Sequence, residues 1–308
     1  MPSPYPPNPA TSLPARSAAG NLRGIGWMLL TGLLFVGVTG VVRHLGTDMA
    51  AVQAAFLRYL IGLVLILPIL LREYRVTVAP RRYGLHAARG LVHGAAVMLW
   101  FFAMAHIPIA QVTALGYTAP IFTTIGAALF LGETLRARRI GAILIAFGGA
   151  MLIVRPGFVE VSLGAIAQLT AAPLFAVSFI LAKKLTETES SEAIVAYLSV
   201  FVTLVLLPPA LMVWRTPTWE ELAWLFLVAV LATLGHYTLT RAFRAAELAV
   251  TQPVSFLQLV WATLLGFLVF GEEPDVWTWI GGGVIVASAT YIAQRESRAR
   301  RTRGPSSS

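Results

Sequence analysis

The sequence predicts an all-α integral membrane protein with ten transmembrane helices arranged as two inverted five-helix repeats. Three observations predict this fold. The chain of 308 residues is 57% hydrophobic and only 12% charged, which leaves too little polar surface to cover a water-soluble core. Its apolar residues fall into ten runs, each close to the roughly 20 residues that cross a bilayer. The two halves of the chain also match each other when one is shifted by 139–140 residues.

The apolar runs give the predicted spans and the division of the chain. The spans cover residues 24–42, 50–71, 88–106, 109–131, 138–154, 163–182, 192–213, 221–240, 248–270 and 276–293. We take the first span as a retained helix rather than a cleaved signal peptide, because further spans follow it. We expect a disordered tail with six prolines at 1–22, a first repeat with helices 1–5 at 23–156, a second, inverted repeat with helices 6–10 at 157–296, and a basic tail at 297–308.

The distribution of Lys and Arg predicts the orientation. Of the 23 basic residues, 19 lie on the side that holds both termini and three lie on the opposite side, while Arg58 lies inside a span. Basic residues concentrate on the cytoplasmic side of membrane proteins. We therefore expect a multi-pass protein of the bacterial inner membrane with both termini in the cytoplasm. Because the charges cluster between apolar runs, the net charge of +9 indicates contact with lipid headgroups and not with nucleic acid.

The internal repeat is visible as matched residues at equivalent places in the span pattern. Leu34-Phe35 falls on Leu174-Phe175, His44-Leu45 on Lys184-Leu185, Ala103 on Ala242, Ala110 on Ala249, Leu131-Gly132-Glu133 on Phe270-Gly271-Glu272, and Gly141 on Gly281. Five is an odd number of helices, so the second repeat must insert upside down. Inverted repeats are the architecture of many secondary transporters, whose two equivalent halves expose one central site to either side in turn.

The first half contains four short motifs: A-x-I-P-I-A at 105–110, T-A-P-I-F at 118–122, L-G-E-T-L-R-A-R-R at 131–139 and R-P-G at 155–157. With these motifs the chain resembles the drug/metabolite transporter superfamily, in its EamA-type ten-helix branch. The resemblance covers roughly residues 24–294, although the second half has Leu259 where the first has Pro120. Within the superfamily the chain most resembles bacterial amino-acid exporters of the YddG type, which implies outward movement of aromatic and other neutral amino acids. Related branches carry nucleotide-like metabolites, S-adenosylmethionine or drugs.

Polar and aromatic residues share faces of several predicted helices. His93 and Trp100 lie on one face of the third helix, and the repeat places His236 on the corresponding face of the eighth. It likewise matches Tyr117 of the fourth helix with Phe256 of the ninth. We expect these faces to line a cavity in which aromatic walls pack an apolar group while Gln, His and Tyr hydrogen-bond polar groups. The candidate substrate-binding residues are His93, Trp100, Tyr117, Gln168, His236, Gln252, Phe256 and Gln258.

Each of these residues also has a structural interpretation. Aromatic residues at helical spacing more often pack than bind, and either histidine can bond a backbone carbonyl near a helix end. Arg58 can extend to the membrane surface or hold the bundle together. Pro120 and Pro173 lie in mid-span, where each frees a carbonyl four residues earlier, so they indicate either gating hinges or static kinks.

These features predict a secondary transporter that moves small amphipathic metabolites by alternating access. Amino-acid export is the expected activity, and a nucleotide-like, S-adenosylmethionine-like or drug substrate is the alternative. No Asp or Glu lies deep in a span, which favours facilitated diffusion or proton linkage through a histidine. The substrate, the direction of transport and the choice between monomer and homodimer stay open.

Other functions are disfavoured by missing motifs. The sequence has no H-E-x-x-H, G-x-S-x-G or G-x-x-x-x-G-K-[ST] motif, so we expect neither an enzyme nor an ATP-driven pump. No filter loop or repeated polar ring indicates a channel. The chain has no cysteine, which excludes disulfides and thiolate metal sites, and we expect no metal and no cofactor.

Overall fold

The computed structural model describes residues 18–76, 82–119, 121–122, 125, 137–155, 160–185, 188–246 and 254–302. These residues form ten principal helices, and no strand is found among them. The helices are α1 (Ala18–Leu45), α2 (Ala51–Val76), α3 (Tyr83–His106), α4 (Ile109–Gly116), α5 (Ala137–Val154), α6 (Leu163–Leu185), α7 (Ser191–Met212), α8 (Trp219–Ala245), α9 (Leu257–Phe270) and α10 (Val276–Thr302). Each predicted span overlaps one of these helices.

Most of these helices are long and apolar enough to cross a bilayer. Apolar stretches of 18 to 26 residues occur in α1, α2, α3, α6, α7 and α8, and shorter apolar stretches occur in α5, α9 and α10. The fourth predicted span is described only in part. Apolar side chains also cover the outside of the bundle, since Leu144 is 65% and Leu268 is 74% exposed. The predicted all-α integral membrane fold is therefore confirmed.

The helices pack as expected for two inverted repeats. Each helix of the first half corresponds to the helix five places later, so α1 corresponds to α6 and α3 corresponds to α8. The contact of α1 with α8 is therefore repeated as the contact of α6 with α3. The matched pairs α2–α7, α4–α9 and α5–α10 pack on each other. Pairs run antiparallel, as in α1 and α8, where Gly24 lies beside Ala246 and Gly37 beside Leu231. The principal helix interfaces therefore join one half of the chain to the other.

Small residues allow the closest of these approaches. A Cβ atom on Gly281 of α10 would lie 2.4 Å from the carbonyl oxygen of Gly149 of α5, so the two backbones touch. The stripe of Ala142, Ala146 and Ala150 on α5 is buried in the same bundle. Close contact through small residues is a common basis of helix association in membranes.

Each end of the bundle holds the first residues of a different set of helices. We call the end that holds the starts of α1 and α3 the terminal end, and the end that holds the starts of α6 and α8 the far end. Local capping positions these starts: Thr218 and Glu221 form a reciprocal capping box at the start of α8. Ser190 caps α7 at the terminal end by accepting the Ala193 N–H at 3.0 Å.

Candidate functional site

A cluster of rings lies where α1, α3, α6 and α8 meet. Phe35 of α1 contacts His236 of α8 edge to face, with ring centroids 5.3 Å apart. Phe175 of α6 contacts His93 of α3 in the same way, also at 5.3 Å. Trp100 flanks both phenylalanines, with its ring centroid 6.5 Å from Phe35 and 6.0 Å from Phe175. The two imidazoles are 5.4 Å apart. We call these five residues the ring cluster.

The internal repeat explains the symmetry of the ring cluster. Phe35 and Phe175 are matched by the shift of 140 residues, so each half supplies one phenylalanine. The histidines are not matched, since His236 corresponds to Val97, one helical turn after His93. The cluster is therefore two-fold in shape, whereas its polar groups are placed differently in the two halves.

His93 brings an unpaired polar atom into the cluster. The side chain is 1% exposed, and its Nδ1 lies 2.9 Å from Ser178 Oγ. Its Nε2 is buried and has no hydrogen-bond partner among the described residues. Buried polar atoms in proteins are normally paired, so Nε2 has hydrogen-bonding capacity that no described residue uses. Tyr59 of α2 packs on the same imidazole, with ring centroids 6.3 Å apart.

The fourth and ninth predicted spans contain tight turns at two positions that the repeat matches, Tyr117 at the C-cap of α4 and Phe256 at the N-cap of α9. The Tyr117 N–H donates three residues back, to Ala114 O at 3.2 Å, and the Leu259 N–H donates in the same way to Phe256 O at 3.1 Å. These tighter turns replace the regular helical bonds. The spans predicted at 109–131 and 248–270 do contain helices, α4 and α9, and the tighter turns add a detail that apolar composition does not reveal.

Tyr117 and Phe256 hold the two breaks together. Their rings meet edge to face with centroids 5.0 Å apart, and both residues are 9% exposed. The Tyr117 hydroxyl donates to Ser255 O at 3.0 Å. Broken helices that meet between inverted repeats commonly form the substrate site of secondary transporters.

The remaining predicted site residues have separate positions. Gln168 is buried on α6 beside Gly116 of α4, and its Oε1 has no partner among the described residues. Gln258 of α9 lies beside Gly32 of α1, and Pro173 lies within α6, which continues through it. Gln252 and Pro120 lie outside the described residues.

The structure thus brings His93, Trp100 and His236 into one cluster and Tyr117 and Phe256 into a second. Their part in substrate binding stays a prediction. Sequence reasoning missed Phe35 as a member of the first cluster. Its match with Phe175 in the repeat was the available signal.

A polar contact that the sequence did not predict joins the halves at the far end. Arg43 Nη2 lies 2.9 Å from Glu272 Oε1, and Glu272 Oε2 accepts the Ile109 N–H at 2.9 Å. Gly271 has a φ of 64°, a left-handed conformation that glycine adopts without steric cost, and this turn brings Glu272 back over α9. We call Arg43, Glu272 and Ile109 the far-end clamp. The feature of the sequence that points to this clamp is the Gly-Glu pair that follows both the fourth and the ninth predicted span.

A second set of contacts joins the halves at the terminal end. His86 Nε2 of α3 lies 2.5 Å from Glu189 Oε2, and both side chains are buried. Arg244 of α8 donates to the Glu189 carbonyl oxygen at 2.8 Å. We call these three residues the terminal-end clamp. The ring cluster lies on helices that are tied to each other at both ends.

Known proteins that match this chain over most of its length are transporters. The chain is 32% identical to a riboflavin transporter of Vibrio cholerae serotype O1, over 91% of this chain and 96% of that protein. It is 28% identical to an S-adenosylmethionine uptake transporter of Rickettsia bellii, over 90% of this chain and 95% of that protein. A solved crystal structure with 19% identity shares the fold, with a TM-score of 0.59 over 90% of this chain and 98% of its own.

These names support a transporter but not the expected amino-acid substrate. Neither relative is named for an amino acid, and the likeness to YddG-type exporters is not confirmed. The apolar helices and these relatives together indicate a multi-pass bacterial membrane protein, whereas cytoplasmic termini stay a prediction. Residues 22–155 and residues 162–294 each match the EamA-like transporter family, so the two halves are two copies of one family unit. The chain belongs to the EamA-like transporter family, within the drug/metabolite transporter superfamily.

Proposed function

We propose that this protein is a secondary transporter that carries a planar heteroaromatic metabolite, with riboflavin as the first candidate. The observation that carries the proposal is the ring cluster, in which matched phenylalanines flank one tryptophan between the two repeats. Aromatic side chains favour edge-to-face and offset contacts with other rings, so such walls suit a flat solute. The buried imidazoles supply hydrogen bonds at the edge of that solute.

The relatives narrow the class of substrate. Riboflavin and S-adenosylmethionine both combine a planar heteroaromatic ring with a hydroxyl-rich chain or sugar, and this shared chemistry fits rings beside polar atoms. Riboflavin comes first because its transporter is the more similar of the two relatives. An aromatic amino acid, the substrate expected from the sequence, offers a smaller ring and serves as the competitor in the test.

The two clamps supply a mechanism for alternating access. Each joins one repeat to the other at a single end of the bundle. In a transporter of inverted repeats, the halves rock about a central site so that one end opens while the other stays closed. Opening the far end requires the Arg43–Glu272 contact to break, and opening the terminal end requires the His86–Glu189 contact to break.

Flux into proteoliposomes tests the proposal. The full chain is reconstituted, and uptake of labelled riboflavin, S-adenosylmethionine and tryptophan is measured with and without the same unlabelled compound inside. We expect saturable riboflavin uptake that internal riboflavin accelerates by exchange. Trp100 is half-buried against the core. Trp100→Ala should lower this uptake at least about tenfold, since truncating an aromatic anchor that packs on the substrate removes roughly 2 kcal/mol or more of binding.

A matched control is Trp219→Ala, which makes the same substitution at a position that is 88% exposed. Its uptake should equal that of the unaltered protein. Equal riboflavin rates in Trp100→Ala and Trp219→Ala would show that the ring cluster is not the site. Exchange of tryptophan without exchange of riboflavin would restore the amino-acid expectation.

A further inference from the structure

Two arginines are buried inside the helix bundle close to the ring cluster. Arg58 of α2 and Arg89 of α3 are each 5% exposed. No carboxylate of the described residues lies within ion-pair distance of either guanidinium. A buried charge in a membrane span is costly unless it is paired, so such residues usually serve function.

Arg58 stacks on a neighbouring ring, and Arg89 has hydrogen-bonding capacity that the described residues leave unused. The Arg58 guanidinium carbon lies 3.7 Å from the centroid of the Tyr59 ring, a stacked arrangement. Arg89 Nη1 donates to Ile194 O at 3.2 Å, but its buried Nε has no partner among the described residues. Each guanidinium carries five N–H donors and no acceptor, so only an acceptor or an anion can satisfy what remains.

Geometry links both cations to His93 of the ring cluster. The Arg58 guanidinium stacks on Tyr59, and the Tyr59 ring contacts the His93 imidazole with centroids 6.3 Å apart. A second buried atom without a partner among the described residues, His93 Nε2, belongs to the residue one helical turn after Arg89 along α3. One side of the ring cluster is therefore positive and rich in donors.

We propose that Arg58 and Arg89 form an acceptor-binding subsite beside the ring cluster, which takes a carboxylate, a phosphate or the carbonyl edge of a heteroaromatic ring and rejects cations. This inference rests on the proposed function, because the subsite would bind the polar end of the ring-bearing substrate proposed above. Arginine binds carboxylates, phosphates and paired carbonyl oxygens through its planar fork. Riboflavin presents a ring edge with two carbonyl oxygens, whereas S-adenosylmethionine can offer only its amino-acid carboxylate, on a chain that also carries an ammonium and a sulfonium cation.

The experiment compares three ligands that share one benzene ring and are negative, neutral or positive. Purified full-length protein in detergent is titrated with benzoate, benzamide, benzylammonium and riboflavin, and each dissociation constant is taken from the shift in the unfolding midpoint. In the unaltered protein we expect benzoate to bind at least about tenfold more tightly than benzylammonium, the ratio that one charge-assisted hydrogen bond supplies. In Arg58→Gln and Arg89→Gln the ratio should fall below about threefold.

Two further variants separate binding from structure. Arg23→Gln, at an exposed position of α1, should keep the full ratio. Arg58→Lys keeps the charge but loses the fork, so it should retain part of the benzoate preference. If the Gln variants unfold at lower temperature while the ratio stays unchanged, the arginines are structural and the subsite is overturned. Equal binding of benzoate and benzylammonium by the unaltered protein also overturns it.

The same titration separates this inference from the proposed function. If benzoate is preferred and lost in the Gln variants while riboflavin causes no shift, the subsite stands and riboflavin is wrong. If riboflavin binds equally well to the unaltered protein and to both Gln variants, the substrate stands and the subsite is wrong. Where one Gln variant fails to fold, the other and Arg58→Lys decide.

Discussion

Neutralising Glu272 should shift the protein toward a state that is open at the far end. Arg43 and Glu272 are 2.9 Å apart with side chains 24% and 12% exposed, and Glu272 also accepts the Ile109 N–H at 2.9 Å. Glu272→Gln keeps the shape and an acceptor oxygen but removes the charge. Charge-assisted hydrogen bonds contribute about 1–1.5 kcal/mol more than neutral ones, which corresponds to a roughly five- to tenfold larger open population.

The chain has no cysteine, so an introduced cysteine reports accessibility without background. A cavity of about 290 Å³ lies at the far end between α1, α2 and α3, where Ala105, which accepts a hydrogen bond from Arg43, and Ala54 of α2, at 6% exposure, line it. In an Ala54→Cys background, the rate of labelling by a membrane-impermeant maleimide measures opening of the far end. We expect Glu272→Gln to raise this rate roughly five- to tenfold.

The control is Glu273→Gln, which removes the neighbouring exposed carboxylate and leaves the clamp intact. Arg43→Gln breaks the contact with Glu272 and also the hydrogen bond from Arg43 Nη1 to Ala105 O at 3.0 Å, so it should raise labelling at least as much as Glu272→Gln does. The double variant should add little to Arg43→Gln, since the Arg43–Glu272 contact is then already broken. If Glu272→Gln and Glu273→Gln label at the same rate, the clamp does not hold the far end closed.

Two further predictions concern packing. Gly281→Ala places a Cβ 2.4 Å from the Gly149 carbonyl oxygen and should lower the free energy of unfolding by about 1–3 kcal/mol. The control Gly283→Ala adds a Cβ with nothing within 4 Å and should leave the free energy of unfolding unchanged or slightly raised. Thermal unfolding in detergent measures both variants, and equal midpoints would contradict the close contact. Tyr117→Phe keeps the ring contact with Phe256 and removes one hydrogen bond, so it should cost about 0.5–1.5 kcal/mol, and the same assay should show a larger loss for Tyr117→Leu.

The helices could be predicted from the sequence because the bilayer imposes their length. The predicted span 163–182 and the observed α6 (Leu163–Leu185) start at the same residue, since apolar residues must cover the hydrocarbon layer. The inverted arrangement was also predictable, because two odd-numbered units in one membrane cannot share an orientation. The breaks at Tyr117 and Phe256 were not, because an apolar run continues through each of them.

The candidate site could be predicted only one helix at a time. Helical spacing placed His93 and Trp100 on one face, and the structure does bring them into one cluster. Spacing within a helix carries no information about its neighbour, so the contact of Phe35 with His236, 201 residues later, could not be derived. The far-end clamp was hidden for the same reason, since Arg43 and Glu272 lie at opposite ends of the sequence.

Duplication also explains how one site can be symmetric in shape and asymmetric in chemistry. Phe35 and Phe175 meet their histidines at the same distance of 5.3 Å, so the walls of the site look alike from either repeat. In the transport cycle proposed above, equivalent walls would let the halves rock in both directions and keep contact with one flat solute. The buried arginines, by contrast, both belong to the first half. A ring with a single acceptor edge matches this arrangement, because its faces need two similar walls and its edge needs donors on one side.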